Sequence, residues 1–163
     1  MSVILERVGF APDYVNYVES LDMQSRLHAE IAARARQNTI LLLEHEPVIT
    51  AGKRTEDHQY PTDRSTPVVK IDRGGKLTWH GPGQLTGYPI LKLPEPLDVV
   101  AYVRLLEEII MNVLAQLGIK GGRVEGRSGV WILGDGITPD KKIAAIGIRV
   151  SKQTTMPGFA INC

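Results

Sequence analysis

The sequence predicts an α+β domain with a mixed, largely antiparallel sheet flanked by helices. Two long segments show the three- and four-residue apolar spacing of helices, and six or more short segments have the length and composition of strands. Several strand segments follow one another across short turns, which favours sequential hairpins and therefore antiparallel pairing. Helices and strands that are not strictly alternated along the chain indicate the α+β class.

The chain is long enough for one domain, and we expect residues 1–163 to form a single one. No run of eighteen apolar residues and no secretory signal pattern occurs, so a cytoplasmic location without membrane contact is the default expectation. The net charge of +1 gives no overall field that would attract nucleic acid. An acidic partner would need a local basic patch on the protein surface. Scattered solvated charges are an equally good interpretation of the basic residues that could form such a patch. These residues are Lys53, Arg54, Arg73, Lys76, Arg123, Arg127, Lys141, Arg149 and Lys152.

The first predicted helix runs from about Asp13, a good N-cap residue, to Gln37. The second begins after Asp98 and ends at Gly118, where a glycine commonly follows a helix. The apolar stripe of the second helix, which we expect to lie in the core, consists of Val99, Val103, Leu106, Ile110, Val113, Leu114 and Leu117.

The predicted strands are residues 39–44, 67–72, 85–93, 129–133, 142–150 and 154–162. The turn residues Gly134, Asp135 and Gly136 favour a hairpin between the fourth and fifth of these. Pro157 in the last strand indicates an edge strand or a bulge, because proline cannot donate a ladder hydrogen bond. Residues 54–65 are polar and aperiodic, which predicts a surface loop and a candidate lid.

A glycine-rich stretch at residues 73–84 is the candidate binding loop. Four glycines and a proline in twelve residues cannot form a helix, and glycine lets the backbone approach a ligand closely. On composition alone, an ordinary connection between strands is the alternative. No phosphate-binding or dinucleotide-binding glycine spacing occurs, so nucleotide binding has no support.

The run RGGKLTWHGPGQLTGYP, Arg73–Pro89, resembles the RGGxxTxHGPGQLxxYP motif of the lipoyl(octanoyl) transferases. Further matches lie at Leu41–Gly52, Gly126–Trp131, Lys142–Gly147 and Gly158–Asn162, so that the resemblance covers nearly the whole chain. It implies the fold shared by the catalytic domains of biotin and lipoate protein ligases.

The resemblance also implies an acyltransferase of lipoate biosynthesis, an octanoyl-[acyl-carrier-protein]:protein N-octanoyltransferase. Octanoyl-acyl carrier protein would be the donor, and the acceptors would be lipoyl domains of the E2 subunits of 2-oxoacid dehydrogenases and of the glycine cleavage H protein. No cofactor is implied. An ATP-dependent lipoate or biotin protein ligase is the alternative enzyme, and a non-catalytic acyl- or carrier-binding domain is the alternative outside enzymes.

Lys142 is implied to be catalytic, as a base or as the partner of a thiolate. Without the resemblance, a solvated lysine beside Lys141 is the stronger interpretation. The implied acyl-substrate-binding residues are Arg73, Gly74, Gly75, Lys76, Leu77, Thr78, Trp79 and His80; Ala145, Ile146 and Gly147; and Gly158, Phe159 and Ala160. The small residues in this set would leave room for a linear chain walled by Trp79 and Phe159, and plain packing is the alternative.

Two histidines, His45 and His80, each precede a turn and lack a spaced carboxylate partner, so we predict no metal and favour hydrogen-bonded structural roles. The family's nucleophile is a cysteine in a Pro-Cys-Gly segment. The single cysteine here, Cys163, directly follows Asn162 and does not correspond to that segment. We therefore expect a C-terminally incomplete domain that binds the acyl substrate but does not by itself form the family's acyl-enzyme.

Overall fold

Ten strands and two α-helices occur in the part of the chain that the computed structural model describes, residues 2–63 and 65–163. The strands are β1 (Val3–Gly9), β2 (Asn38–Leu43), β3 (Val48–Ala51), β4 (Val68–Lys70), β5 (Leu77–His80), β6 (Gln84–Ile90), β7 (Gly122–Val124), β8 (Arg127–Ile132), β9 (Lys141–Ser151) and β10 (Thr154–Asn162). The helices are α1 (Tyr17–Ala32) and α2 (Val99–Gln116), and a 3-10 turn spans Asp57–Gln59. Neither helix described in these ranges has the length and apolar composition needed to span a membrane.

The strands of residues 2–63 and 65–163 form a seven-stranded sheet and a three-stranded sheet. The larger sheet has the order β1-β2-β6-β10-β9-β8-β7, in which β1 and β2 are parallel and the other neighbours are antiparallel. The smaller sheet has the order β4-β3-β5, with a parallel and an antiparallel pair. The predicted α+β class with a mixed, largely antiparallel sheet is confirmed.

Helix α1 begins later and ends earlier than the sequence predicted. Asn16 is its N-cap instead of Asp13, because the Asn16 side chain accepts hydrogen bonds from the amides of Val18 and Glu19. One face of α1 packs on β2 and β6, and the buried cluster there consists of Leu27, Ile31, Leu41, Leu43, Tyr88 and Ile90.

Helix α2 has the predicted caps but a different buried face. The amide of Ala101 donates to the Asp98 side chain at 2.8 Å, and Gly118 follows the helix with a φ of 76°. The buried residues are Tyr102, Leu106, Glu107, Ile110 and Leu114. The placement of Val113 and Leu117 in the core was wrong, since they are 47% and 71% exposed. The helix is apolar on two faces, and residue spacing alone does not show which face the sheet covers.

The predicted hairpin is confirmed as β8 and β9, with an irregularity in register between Val130 and Trp131. Strand β10 lies inside the larger sheet between β6 and β9, so the edge-strand interpretation of Pro157 was wrong. Pairing of β10 with β6 begins at Phe159, after the proline. Pro157 is therefore tolerated in an interior strand because the registered pairs between β10 and β6 do not include it.

Candidate functional site

A cavity of about 470 Å³ is lined by residues of both sheets and of both helices. This volume is within the range of small-molecule sites in proteins. The residues proposed from sequence that line it are Arg73, Gly74, Gly75, Lys76, Leu77, Thr78, His80, Lys142, Ala145, Ile146, Gly147, Gly158, Phe159 and Ala160. The fold thus brings three separate stretches of chain together around one space.

Trp79 lies apart from the described residues that line this cavity, and it is 46% exposed. Side chains alternate along β5, and the neighbours of Trp79, Thr78 and His80, reach the cavity instead. The indole covers Gly81, where an added Cβ would lie 2.4 Å from the ring. Of the two aromatic walls proposed from sequence, Phe159 is the one that borders the cavity.

Arg73 is nearly buried and organises the glycine-rich stretch through its guanidinium. Its Nη2 donates to the hydroxyls of Thr50 and Thr78, each at 2.9 Å, and its Nη1 donates to the carbonyl of Gly74 at 2.8 Å. Among residues 2–63 and 65–163, no carboxylate pairs with it. Burial lowers the pKa of Arg73, yet an arginine stays charged, so the guanidinium gives the cavity a fixed positive charge.

The backbone of the stretch is held against residues 52–54. The amides of Gly52, Lys53 and Arg54 donate to carbonyls of residues 76, 73 and 75 at 3.0–3.2 Å. Gly75 has a φ of 85°, a conformation that a residue with a Cβ adopts only with strain. The ammonium of Lys76 bonds Glu56 of the predicted lid segment at 2.8 Å. Arg64 of that segment is outside the described residues, and the lid stays a prediction.

The glycines that line the cavity are small for two different structural reasons. A Cβ on Gly158 would lie 2.0 Å from the carbonyl oxygen of Gly87, so this glycine permits the close approach of β10 to β6. A Cβ on Gly147 would meet the Arg73 side chain at 3.5 Å, an ordinary contact. Packing therefore explains Gly158, whereas Gly147 leaves space that the cavity uses.

His45 is buried beside the cavity and is held by two hydrogen bonds. Its Nδ1 lies 2.9 Å from the carbonyl oxygen of Val15, which can only accept, so Nδ1 carries a proton. Its Nε2 lies 2.6 Å from the hydroxyl of Tyr88. Burial lowers the pKa of His45, which favours a neutral ring whose Nε2 accepts from that hydroxyl. The contacts give His45 a structural role.

His80 begins a chain of hydrogen bonds that reaches the strand of Lys142. Its Nδ1 lies 2.7 Å from Oε1 of Gln84, whose Nε2 donates to the carbonyl of Trp79 and to Oδ1 of Asn162. Those two acceptors orient the amide, so that its oxygen accepts from His80. Asn162 in turn donates to the carbonyl of Lys142 at 3.3 Å. Burial lowers the pKa of His80 to about 4, which keeps the ring neutral near pH 7.

Lys142 reaches the cavity from the start of β9 with its amine 4.6 Å from the centroid of the Trp131 ring. This is a cation–π distance. The residue keeps contact with solvent, but partial burial, and after it the charge of Arg127, lower the pKa of the Lys142 ammonium. A lysine with a lowered pKa has more of the neutral amine that a base requires.

Residues 16–163 match the model of the lipoyl protein ligase A/B catalytic domain. The chain belongs to this family. It is 61% identical over 158 residues to an octanoyltransferase of Leifsonia xyli subsp. xyli, a match that covers 97% of this chain and 70% of the relative. It is 54% identical over 163 residues to an octanoyltransferase of Renibacterium salmoninarum, covering 100% of this chain and 70% of that one. The resemblance to the transferases is thereby confirmed.

Among solved structures, the bi-partite lipoate protein ligase of Thermoplasma acidophilum has the same fold, with a TM-score of 0.69 at 18% identity. The alignment covers 99% of this chain and 62% of the archaeal chain. This chain therefore spans less than two thirds of that neighbour and about two thirds of its octanoyltransferase relatives. Identity this low supports the family's fold and not a shared reaction.

Several further residues line the cavity and were not proposed from sequence, among them Tyr17, Tyr88 and Ser128. Tyr88 lies inside the matched motif and Ser128 inside the matched Gly126–Trp131 stretch, so the family pattern contained a signal for both. Tyr17 had none, because it is the first residue of a helix whose start was predicted four residues too early.

Proposed function

We propose that this chain serves the transfer of an octanoyl group from octanoyl-acyl carrier protein to a lysine of a lipoyl domain. The supporting observation is that the three stretches of substrate-binding residues proposed from the family pattern line one cavity together with Lys142. The acceptors would be lipoyl domains of 2-oxoacid dehydrogenase E2 subunits and of the glycine cleavage H protein.

In the proposed reaction, a cysteine thiolate attacks the thioester carbonyl of the donor and the carrier's thiolate leaves. Lys142 would take the proton of the attacking thiol and return it to the departing sulfur. The neutral amine of the acceptor lysine then attacks the enzyme thioester, forms the amide and releases the enzyme thiolate, while a base takes the amine's proton. In the family pattern this cysteine belongs to a Pro-Cys-Gly segment.

Cys163 is not the residue that we assign to this step. Its amide donates to the carbonyl of Gly83 at 2.9 Å, and its Sγ lies 3.6 Å from the carbonyl of Ile161. These contacts tie the cysteine to the end of the glycine-rich stretch, and no basic side chain among residues 2–63 and 65–163 bonds its sulfur. We therefore assign the nucleophile to the cysteine of the family's Pro-Cys-Gly segment and not to Cys163.

The acyl tail would lie against the apolar part of the cavity, beside Ile146 and Phe159. An octanoyl chain buries about six methylenes, which contributes on the order of 5 kcal/mol before the cost of association. Removing two methylenes would cost roughly 1.6 kcal/mol, or somewhat more than tenfold in affinity. The site should therefore discriminate moderately between chain lengths.

Intact-mass spectrometry tests the proposal. Octanoyl carrier protein and a lipoyl domain are incubated with each of three proteins. The first is this chain extended through the Pro-Cys-Gly segment of a relative, the second is the 163-residue chain, and the third is the Cys163→Ser variant of the 163-residue chain. We expect the extended protein to octanoylate the lipoyl domain without ATP and to carry an adduct that hydroxylamine removes. Transfer that requires ATP would contradict the transferase and favour the ligase. An adduct on the unextended chain that Cys163→Ser abolishes would contradict our assignment of the nucleophile.

A further inference from the structure

Two side chains of β8, Trp131 and Arg127, lie near the amine of Lys142 and are not among the proposed substrate-binding residues. The ring of Trp131, which is paired with Lys142 in the sheet register, lies 4.6 Å from the lysine Nζ. The guanidinium carbon of Arg127 lies 5.4 Å from the centroid of the same ring. The two cations therefore share one indole and are at most about 10 Å apart.

A buried carboxylate of α2 fixes the backbone of β8 between Arg127 and Trp131. Glu107 of α2 is fully buried, and its Oε1 accepts from the amide of Gly129 at 3.0 Å, between Arg127 and Trp131 along the strand. A Cβ on Gly129 would lie 2.4 Å from the carbonyl oxygen of Ala144, so β8 runs very close to β9 at this point. The shared ring is thus held by a defined backbone and not by a free loop.

Among residues 2–63 and 65–163, neither Lys142 nor Arg127 forms an ion pair with a carboxylate, whereas several other basic residues do form one. Lys53 and Arg149 both pair with Asp72, and Lys76 pairs with Glu56. Near Lys142, β8 contributes Arg127 and Trp131, and β10 contributes the amide of Asn162, which donates to the Lys142 carbonyl. Lys141, the neighbour on β9, is exposed and projects from the opposite face of the strand. Every formal charge among these neighbours is positive.

We propose that Trp131 and Arg127 are positioning residues for Lys142, with the indole holding the amine at the cavity and the guanidinium opposing its positive charge. The assignment rests on the proposed function, in which the neutral amine of Lys142 acts. A ring face attracts the ammonium and fixes its place. A nearby unpaired guanidinium, which does not lose its proton, makes the charged form of the lysine less favourable.

The two residues therefore have separable effects on Lys142. Removing the charge of Arg127 should raise the pKa of Lys142 by about half a unit or more at low salt, since the two unit charges lie at most about 10 Å apart. Raising the ionic strength should shrink that difference, since Arg127 is exposed and its field is screened. Removing the ring of Trp131 should release the lysine side chain from the indole face.

NMR spectroscopy of the 163-residue chain labelled with carbon-13 at lysine Cε tests both effects, with Lys142→Arg used to assign the signal. The Hε protons of Lys142 should be shifted upfield by the indole ring in the parent chain and in Arg127→Gln, and should lose that shift in Trp131→Leu. The titration midpoint of Lys142 should rise in Arg127→Gln and return toward the parent value in Arg127→Lys. Arg26→Gln, at an exposed position of α1, is the control that should leave the midpoint unchanged.

An unchanged midpoint in Arg127→Gln would overturn the role of the guanidinium, even if Trp131→Leu failed to fold. An Hε signal that ignores the loss of the indole would overturn the role of the ring. Since these titrations use no substrate, they decide the inference separately from the transfer assay. A chain that shows the titration shifts but, once extended, transfers no octanoyl group would overturn the proposed function alone.

Discussion

Replacing Lys142 with alanine should lower octanoyl transfer by 10²-fold or more, as expected for the loss of a general base. Lys142 lines the cavity, the pKa of its ammonium is lowered by partial burial and by Arg127, and no acid neutralises it among residues 2–63 and 65–163. The rate is measured as octanoylated lipoyl domain formed by the extended protein. Folding should be preserved, because Lys142 keeps contact with solvent.

Lys141→Ala is the matched control for this change. Lys141 pairs with Ile132 and Lys142 with Trp131, so the two adjacent side chains project from opposite faces of β9. Lys141 is not among the residues that line the cavity in the described ranges. Its replacement should leave transfer within about twofold of the parent, well below the effect of a catalytic base. Equal losses from the two alanine variants would refute the assignment of Lys142.

Replacing Glu107 with alanine should lower the free energy of unfolding by about 2–3 kcal/mol. The carboxylate is fully buried, accepts from the amide of Gly129 and bonds Arg104 and Arg123 at 2.7 and 2.9 Å. Its loss leaves a buried amide without an acceptor, while the two arginines remain partly solvated. Urea unfolding measures the change. Glu108→Ala is the control, because Glu108 bonds the same Arg123 from an exposed position and should cost well under 1 kcal/mol.

The pH dependence of the free energy of unfolding is a second test of the role of the Glu107 carboxylate. Burial alone would raise the pKa of Glu107, but hydrogen bonds from Arg104, Gly129 and Arg123 hold it below the usual value. Its stabilising effect is then complete above the unfolded-state pKa of about 4.3 and is lost as the pH falls through the lower folded-state pKa. The parent chain should lose stability more steeply below about pH 4 than Glu107→Gln. Parallel acid profiles would contradict the shift.

Local signals in the sequence predicted much of the larger sheet and the second helix. Asp98 and Gly118 have the chemistry of helix caps, and the connection between residues 129–133 and 142–150 has the turn residues of a hairpin. The smaller sheet was missed because β3 and β5 have four residues each, too few for a periodic pattern. The position of β10 inside the sheet depends on pairing with a strand about seventy residues away, which no local pattern encodes.

Cavity residues that belong to the family motif were predictable from the sequence. Features that depend on contacts between distant parts of the chain were not. The family pattern led to Arg73, Lys142 and Gly147, which line one cavity. The burial of Glu107 was not predictable, since a glutamate in an amphipathic helix is normally solvated and its partners lie up to 22 residues away. The contact between Trp131 and Lys142 depends on an irregular register in the hairpin that residue types do not reveal.

We expect the octanoyl chain to occupy the cavity shared by the glycine-rich stretch, β9 and β10. The most direct measurement is nuclear Overhauser contacts from the terminal methyl group of octanoyl-pantetheine, labelled with carbon-13, to the protein. We expect contacts to Ile146 and Phe159, which border this cavity. Contacts to Ile31 and Leu93 instead would place the octanoyl chain in a different cavity of about 390 Å³ and would contradict this placement.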